Sequence, residues 1–174
     1  KTFPISNIMP LINHGHMHFG ENKVQEALDK WTDIKEQFKY VKLHMIGKLQ
    51  TNKVKFALNI FDYIHSLDNE KLAQKLSSEQ IKYEKKPKIF IQVNIGNENQ
   101  KSGIEKKHLN DFYEYSKKLN LEVIGLMCIP PVNVDTNIYF DEMNILKKKL
   151  KLNELSMGMS SDYIEAIKNS STFL

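Results

Sequence analysis

Residues 155–172 read Leu-Ser-Met-Gly-Met-Ser-Ser-Asp-Tyr-Ile-Glu-Ala-Ile-Lys-Asn-Ser-Ser-Thr, and this stretch decides the fold that we expect for the chain. Its start belongs to a short apolar run over residues 154–157 that is typical of a buried strand. A helix is predicted over residues 161–168, where Asp162 and Glu165 stand at the spacing of a capping box. The sequence therefore predicts a strand that leads directly into a helix.

The junction between this strand and this helix is a candidate site for an anion. The first N–H groups of a helix lack partners within the helix, and the positive end of the helix dipole lies beside them. Gly158 permits a tight turn at the junction, and the hydroxyls of Ser170, Ser171 and Thr172 could add donors ahead of the next strand. Serines and threonines in such clusters usually act as caps and turn residues, so the pattern alone does not establish a ligand.

Strands and helices are predicted to alternate over the whole chain. Short apolar and β-branched runs predict strands over residues 17–20, 42–46, 63–67, 89–95, 123–129, 154–157 and 172–174. Helical spacing of apolar side chains predicts helices over residues 6–14, 22–38, 52–61, 69–81, 106–119, 137–150 and 161–168. The second helix is expected to start at Asn22, with Gln25 at capping-box spacing. No linker interrupts the series, so residues 1–174 are expected to form a single domain.

This alternation predicts an α/β fold with a parallel sheet and right-handed crossovers. Seven strands are predicted after Lys1, and one more upstream would complete a TIM-type (β/α)8 barrel. Such a barrel commonly needs roughly 250 residues, so this chain is expected to be truncated at both ends. An open doubly wound sheet is the alternative architecture. Its usual glycine-rich phosphate motif does not occur in the sequence.

Composition narrows the classes of function. With 41% hydrophobic and 26% charged residues, the chain has the composition of an ordinary globular domain. All 25 basic residues are lysines, which argues against sequence-specific contacts with nucleic acid. No apolar run approaches the roughly 18 residues of a membrane span, and no signal-peptide pattern occurs, so we expect a cytoplasmic protein without a membrane partner. The lone Cys128 is expected to be a core residue.

Two groups of histidines could bind a metal or support the fold. The spacing of two between His14, His16 and His18 would place three imidazoles on one face of a strand, where they could bind a metal. Gly15 and the preceding helix argue against a continuous strand there, so this metal site is the unfavoured alternative. His44 and His65 fall in predicted strands, and we expect them to be hydrogen-bonded residues of the barrel interior. No metal site is therefore predicted.

Six motifs occur together in a fixed order along the chain. They are Lys1-Thr2-x-Pro4, His18-Phe19-Gly20-Glu21-Asn22-x-Val24-Gln25-Glu26, His44-x-Ile46-Gly47-x-Leu49-Gln50-x-Asn52-Lys53, Val93-Asn94-Ile95 followed by Gln100-Lys101-Ser102-Gly103, Gly125-Leu126-Met127-x-Ile129-Pro130, and Leu155-Ser156-Met157-Gly158-Met159-Ser160-x-Asp162. Together they closely resemble the pyridoxal-phosphate homeostasis protein family, whose barrel is similar to the N-terminal domain of alanine racemases.

The resemblance implies a site for pyridoxal 5'-phosphate. A lysine at the end of the first strand can react with a carbonyl as a neutral amine, and by resemblance Lys1 would hold the cofactor as a Schiff base. The implied cofactor-binding residues are Lys1, Asn22, Ser156, Gly158, Met159, Ser160, Ser171 and Thr172. The chain departs from the family at Ser170, where glycine is usual, and it stops before the Arg-x-Gly that normally follows.

The resemblance implies a protein that stores or delivers the cofactor without turnover and has no catalytic residues. Client apo-enzymes are candidate partners, and a monomer is expected. The alternative is a pyridoxal-phosphate-dependent, racemase-like enzyme, which would need a positioned acid or base.

Overall fold

The computed structural model describes residues 3–98 and 102–174, and strands alternate with helices along them as predicted. The strands are β1 (His18–Glu21), β2 (Lys42–Met45), β3 (Tyr63–Leu67), β4 (Lys88–Asn94), β5 (Ile104–Glu105), β6 (Glu122–Met127) and β7 (Glu154–Ser156). The helices are α1 (Ile5–Asn13), α2 (Val24–Gln37), α3 (Val54–Ile60), α4 (Glu70–Tyr83), α5 (Leu109–Lys118), α6 (Asn137–Lys149) and α7 (Tyr163–Lys168).

The strands form one parallel sheet in the order β1-β2-β3-β4-β6-β7, and β5 pairs with the end of β4. The sheet curls strongly, because the ring of His18 on the first strand lies 6.2 Å from the ring of Phe173, which follows the last. Phe173 pairs in parallel with Ser156 through a single bridge, where the sequence predicted a strand over residues 172–174. The architecture is thus the predicted TIM-type α/β barrel, seen here as an incomplete, curled sheet with its helices.

Helices pack on the sheet through the faces that their spacing predicted. On α2 the buried side chains are Val24, Ala27, Trp31 and Ile34. Trp31 also donates a hydrogen bond of 2.8 Å to the buried Glu21 carboxylate, to which Lys30 donates a second of 2.7 Å. These bonds satisfy a charge that would otherwise be costly to bury, and they fix the end of β1 against α2.

Both predicted capping boxes are wrong. The N-cap of α2 is Lys23, without a side-chain cap, so Asn22 lies outside the helix. Helix α7 has Asp162 as its N-cap, but the Asp162 carboxylate accepts the N–H of Met159 at 2.6 Å, and it makes no cap bond inside the helix. The carboxylate therefore holds the preceding loop. None of the described helices has the length and apolar character needed to cross a bilayer.

Candidate functional site

A cavity of about 720 Å³ opens at the carboxyl ends of β1, β2, β6 and β7. This is the end of a parallel sheet where ligands are expected. Its walls are formed by His18, Phe19, Gly20, Asn22, His44, Ile46, His65, Met127, Cys128, Ile129, Ser156, Met157, Gly158, Met159, Ser160, Tyr163, Phe173 and Leu174. Five of the predicted cofactor-binding residues thus lie together: Asn22, Ser156, Gly158, Met159 and Ser160.

The loop between β7 and α7, residues 157–162, offers hydrogen-bond donors to this cavity. Gly158 has a φ of +104°, and a Cβ there would lie 2.7 Å from the Cβ of Ala166, so the tight turn requires glycine. Within residues 3–98 and 102–174, the N–H groups of Gly158 and Ser160 have no hydrogen-bond partner. The Met159 N–H, in contrast, is taken by Asp162. Two backbone donors and the exposed Ser160 hydroxyl make this loop suited to an anion.

The side chains of Ser171 and Thr172 form hydrogen bonds with backbone groups in this structure. The Ser171 hydroxyl donates to the carbonyl of Met157 at 2.7 Å. The Thr172 hydroxyl accepts the Leu155 N–H at 2.8 Å and donates to the Leu155 carbonyl at 3.0 Å. Neither residue is among the described residues that line the cavity, and their expected contact with a phosphate stays a prediction.

Asn22 reaches the cavity because the loop after β1 packs tightly on the loop after β2. The two strands are in register from His18 opposite Lys42 to Glu21 opposite Met45. Beyond that pair, the Ile46 N–H donates to the Glu21 carbonyl at 3.0 Å, so the contact continues past the strands. Asn22 therefore sits beside the cavity and does not cap α2.

Three histidines form a hydrogen-bonded row across the interior of the sheet. His18 Nδ1 lies 2.9 Å from His44 Nε2, and His44 Nδ1 lies 2.9 Å from His65 Nε2. His65 Nδ1 then lies 2.8 Å from Ser156 Oγ. We call His18, His44 and His65 the histidine row. The prediction that His44 and His65 are hydrogen-bonded interior residues is confirmed, but no sequence pattern indicated that His65 bonds to Ser156.

Burial keeps these rings neutral. Burial, as the largest cause, and the neighbouring ring in the row together lower the pKa of His44 to about 4 and the pKa of His65 to about 3. Desolvation also lowers the pKa of His18. Burial raises the pKa of the Cys128 thiol to about 12, which keeps it protonated and unreactive.

Two other sequence predictions concern Lys1 and a metal. Lys1 lies outside the described residues. Among those that are described, no group of three His, Cys, Asp or Glu side chains could hold a metal ion. His14 caps the C-terminus of α1, and His16 Nε2 lies 2.8 Å from the carbonyl oxygen of His18, so the three alternating histidines do not share a strand.

Comparison with known proteins gives a consistent result over the whole chain. The alanine racemase N-terminal domain family matches residues 3–173. The pyridoxal phosphate homeostasis protein of Aquifex aeolicus is 38% identical over 184 residues, which cover 100% of this chain and 80% of that protein. PipY of Synechococcus elongatus, solved without PLP, is similar with a TM-score of 0.93 and 32% identity over 99% of this chain and 85% of that one. The same protein solved with PLP bound gives a TM-score of 0.89 at the same identity and coverage.

Proposed function

The chain belongs to the pyridoxal phosphate homeostasis protein family, and we propose that residues 1–174 form one domain that binds pyridoxal 5'-phosphate for storage or delivery. The observation that carries this proposal is the loop of residues 157–162, where Gly158 and Ser160 line the cavity and their backbone N–H groups have no partner among the described residues. A phosphate group needs donors of this kind.

The residues present fit a flat, phosphorylated ring. The cavity volume of about 720 Å³ lies within the range of small-molecule sites. Apolar walls for the ring come from Phe19, Ile46, Met127 and Ile129. The glycine at position 158 lets the loop backbone pack close to Ala166, and both Gly158 and Ser160 line the cavity. Ser156 adds a hydroxyl from the end of β7.

Lys1 is the proposed covalent attachment point, by its match to the family's motif. Its ε-amine would condense with the cofactor's aldehyde as a neutral group, and one molecule of water would leave. The bound cofactor supplies an electrophilic carbonyl and an electron-withdrawing ring, and client enzymes use these two groups for their chemistry.

We expect no turnover from the chain itself. A racemase needs a proton donor or acceptor placed at the substrate carbon. In the cavity, both ring nitrogens of His44 and His65 are engaged in the histidine row and Cys128 holds its proton, so none of these three groups is free to act on a substrate carbon. Storage and delivery require only binding and release, and client apo-enzymes are the proposed recipients.

The first experiment is to map the attachment site. The protein, with at least one residue ahead of Lys1 so that its α-amine is blocked, is incubated with pyridoxal 5'-phosphate and reduced with borohydride. Peptide mass spectrometry should then find the modification on the Lys1 side chain, and Lys1→Ala should abolish it. Lys48→Ala is the matched control, since Lys48 is exposed near the same end of the sheet and should leave the modification unchanged. Modification scattered over surface lysines, or none, would overturn the proposal.

Amino-acid racemisation is the second measurement. We expect no conversion above background when the loaded protein is incubated with L-alanine and the enantiomers are separated. Racemisation that disappears in Lys1→Ala would replace the storage role with the racemase-like alternative, while the cofactor site would stand.

A further inference from the structure

The histidine row connects cavity residues that are far apart in the sequence. His18, His44 and His65 come from the three consecutive strands β1, β2 and β3, whereas Ser156 belongs to β7. Strands β3 and β7 are not neighbours in the sheet, so the bond from His65 to Ser156 crosses the interior. Ser156 is also the hydroxyl that lies beside the loop of residues 157–162.

Packing fixes the rings of the row. His44 stacks on Tyr63 with ring centroids 4.1 Å apart, and His65 stacks on Phe90 at 4.3 Å. Phe173 lies against both imidazoles, at 5.5 Å and 5.9 Å. Since His44 and His65 are 4% and 2% exposed, neither ring can exchange its partners for water without opening the interior.

A row of neutral imidazoles has only two fully bonded arrangements. Each neutral ring carries one N–H and one bare nitrogen, and each contact in the row needs one proton. If His65 donates from Nε2, then His44 and His18 must also carry their protons on Nε2, and Ser156 must donate to His65. If His65 donates from Nδ1 to Ser156, all three rings carry the proton on Nδ1. The row therefore changes as a unit.

The two arrangements present opposite polarity to a ligand. With all protons on Nε2, the Ser156 hydrogen points at His65 and only oxygen lone pairs face the cavity. With all protons on Nδ1, Ser156 accepts from His65, and its own hydrogen is available to the cavity. An anion needs the second arrangement, because a hydroxyl binds an anion only by donating to it.

We infer that the histidine row positions the Ser156 hydroxyl as a donor for the cofactor's phosphate, and that phosphate binding fixes His65, His44 and His18 in the Nδ1–H form. This inference rests on the proposed function, since it takes the phosphate to lie at Ser156. His44 and His65 are thus positioning residues that act through Ser156. His18 lies at the far end, and its Nε2 becomes a bare acceptor when the phosphate is bound.

Imidazole nitrogen NMR reads this state directly. The probe is pyridoxine 5'-phosphate, which carries the phosphate but no aldehyde and so binds without covalent attachment. In protein with ¹⁵N-labelled histidine and saturating probe, we expect Nδ1–H tautomers for all three rings of the row. An Nε2–H tautomer at any of the three would overturn the inference while leaving the proposed function in place. Absence of probe binding would overturn both.

A double-mutant cycle tests the route through Ser156. His65→Phe keeps the ring beside Phe90 and removes the donor to Ser156, so the Ser156 hydroxyl is no longer held as a donor to the phosphate. The dissociation constant of the probe should then rise about tenfold, the size of one lost bond to a charged group. Ser156→Ala should have a similar effect, and the double variant should be no weaker than Ser156→Ala alone. His108→Phe, at an exposed histidine outside the cavity, should leave the affinity unchanged. Independent losses that multiply in the double variant would refute a route through Ser156.

Discussion

Gly47 and Asn22 are in closer contact than any side chain at position 47 would allow. A Cβ on Gly47 would lie 2.3 Å from the carbonyl oxygen of Asn22 and 2.8 Å from its Cα. The loop after β2 therefore passes directly against the loop after β1, and this contact determines where Asn22 meets the cavity. A residue predicted to lie beside the cofactor is thus held by a glycine that does not itself line the cavity among the described residues.

Gly47→Ala should therefore damage both stability and binding. The added methyl group meets backbone atoms that cannot rotate away, so we expect a loss of about 2 kcal/mol in the free energy of unfolding. Because the loop must shift to accept it, the affinity for pyridoxal 5'-phosphate should fall as well. Urea denaturation and a cofactor titration measure the two effects.

Gly20→Ala is the matched control for this loss. A Cβ at Gly20 would come within 3.0 Å only of the Cδ1 atom at the tip of the Ile46 side chain, which can rotate. The loss of stability should accordingly be clearly smaller than for Gly47→Ala. Equal losses in the two variants would contradict the role assigned to the Gly47 contact.

Ser170→Gly should stabilise the protein. Ser170 has a φ of +66°, in the left-handed region that favours glycine, and a non-glycine residue there costs roughly 1 kcal/mol. Ser170 thus holds, at a cost in strain, a backbone conformation that glycine adopts freely. We expect a gain of about 1 kcal/mol in the free energy of unfolding. Ser161→Gly, where φ is not positive, should give no gain, and a gain of equal size there would rule out relief of strain as the cause.

Much of the fold followed from local pattern. Buried parallel strands appear as short apolar runs, and the helices on them show one apolar stripe, so the predicted order of elements agrees with the structure. The β4 strand lies at Lys88–Asn94 against a predicted 89–95, for example. Strand β5 was missed because Ile104–Glu105 is too short to show a period. The capping boxes failed because Lys23, and not Asn22, is the N-cap of α2, and because the Asp162 carboxylate accepts the Met159 N–H in the loop before α7.

The histidine row could not be predicted in the same way. It depends on the cross-strand register that sets Gly20 opposite His44 and His44 opposite Tyr63. It depends further on a curvature that brings Ser156 on β7 to His65 on β3. Neither register nor curvature is encoded in a local period of the sequence, so spacing gave the interior position of His44 and His65 but not their partners.

The buried histidines also predict how stability depends on pH. The folded-state pKa values of His44 and His65, about 4 and about 3, lie below the ordinary value of 6.5. Between these values the unfolded chain binds more protons than the folded one, so stability is fully present above pH 6.5 and is lost as the pH falls. Between about pH 6 and pH 5 the slope should approach 1.4 kcal/mol per pH unit for each histidine. Urea denaturation of the ligand-free protein at several pH values in this range measures the slope.

A variant and a spectroscopic readout separate the histidines from other acid effects. His44→Asn removes one of the two histidines with the largest shifts, so the slope between about pH 6 and pH 5 should fall by about 1.4 kcal/mol per pH unit. Keeping the measurement above pH 5 avoids most carboxylate titration, because unfolded Asp and Glu have pKa values of about 3.9 and 4.3. In the wild-type protein the ring signals of His44 and His65 should not titrate in this window. Ring signals that titrate near pH 6.5, or stability that stays flat, would show that these imidazoles are not buried as neutral groups.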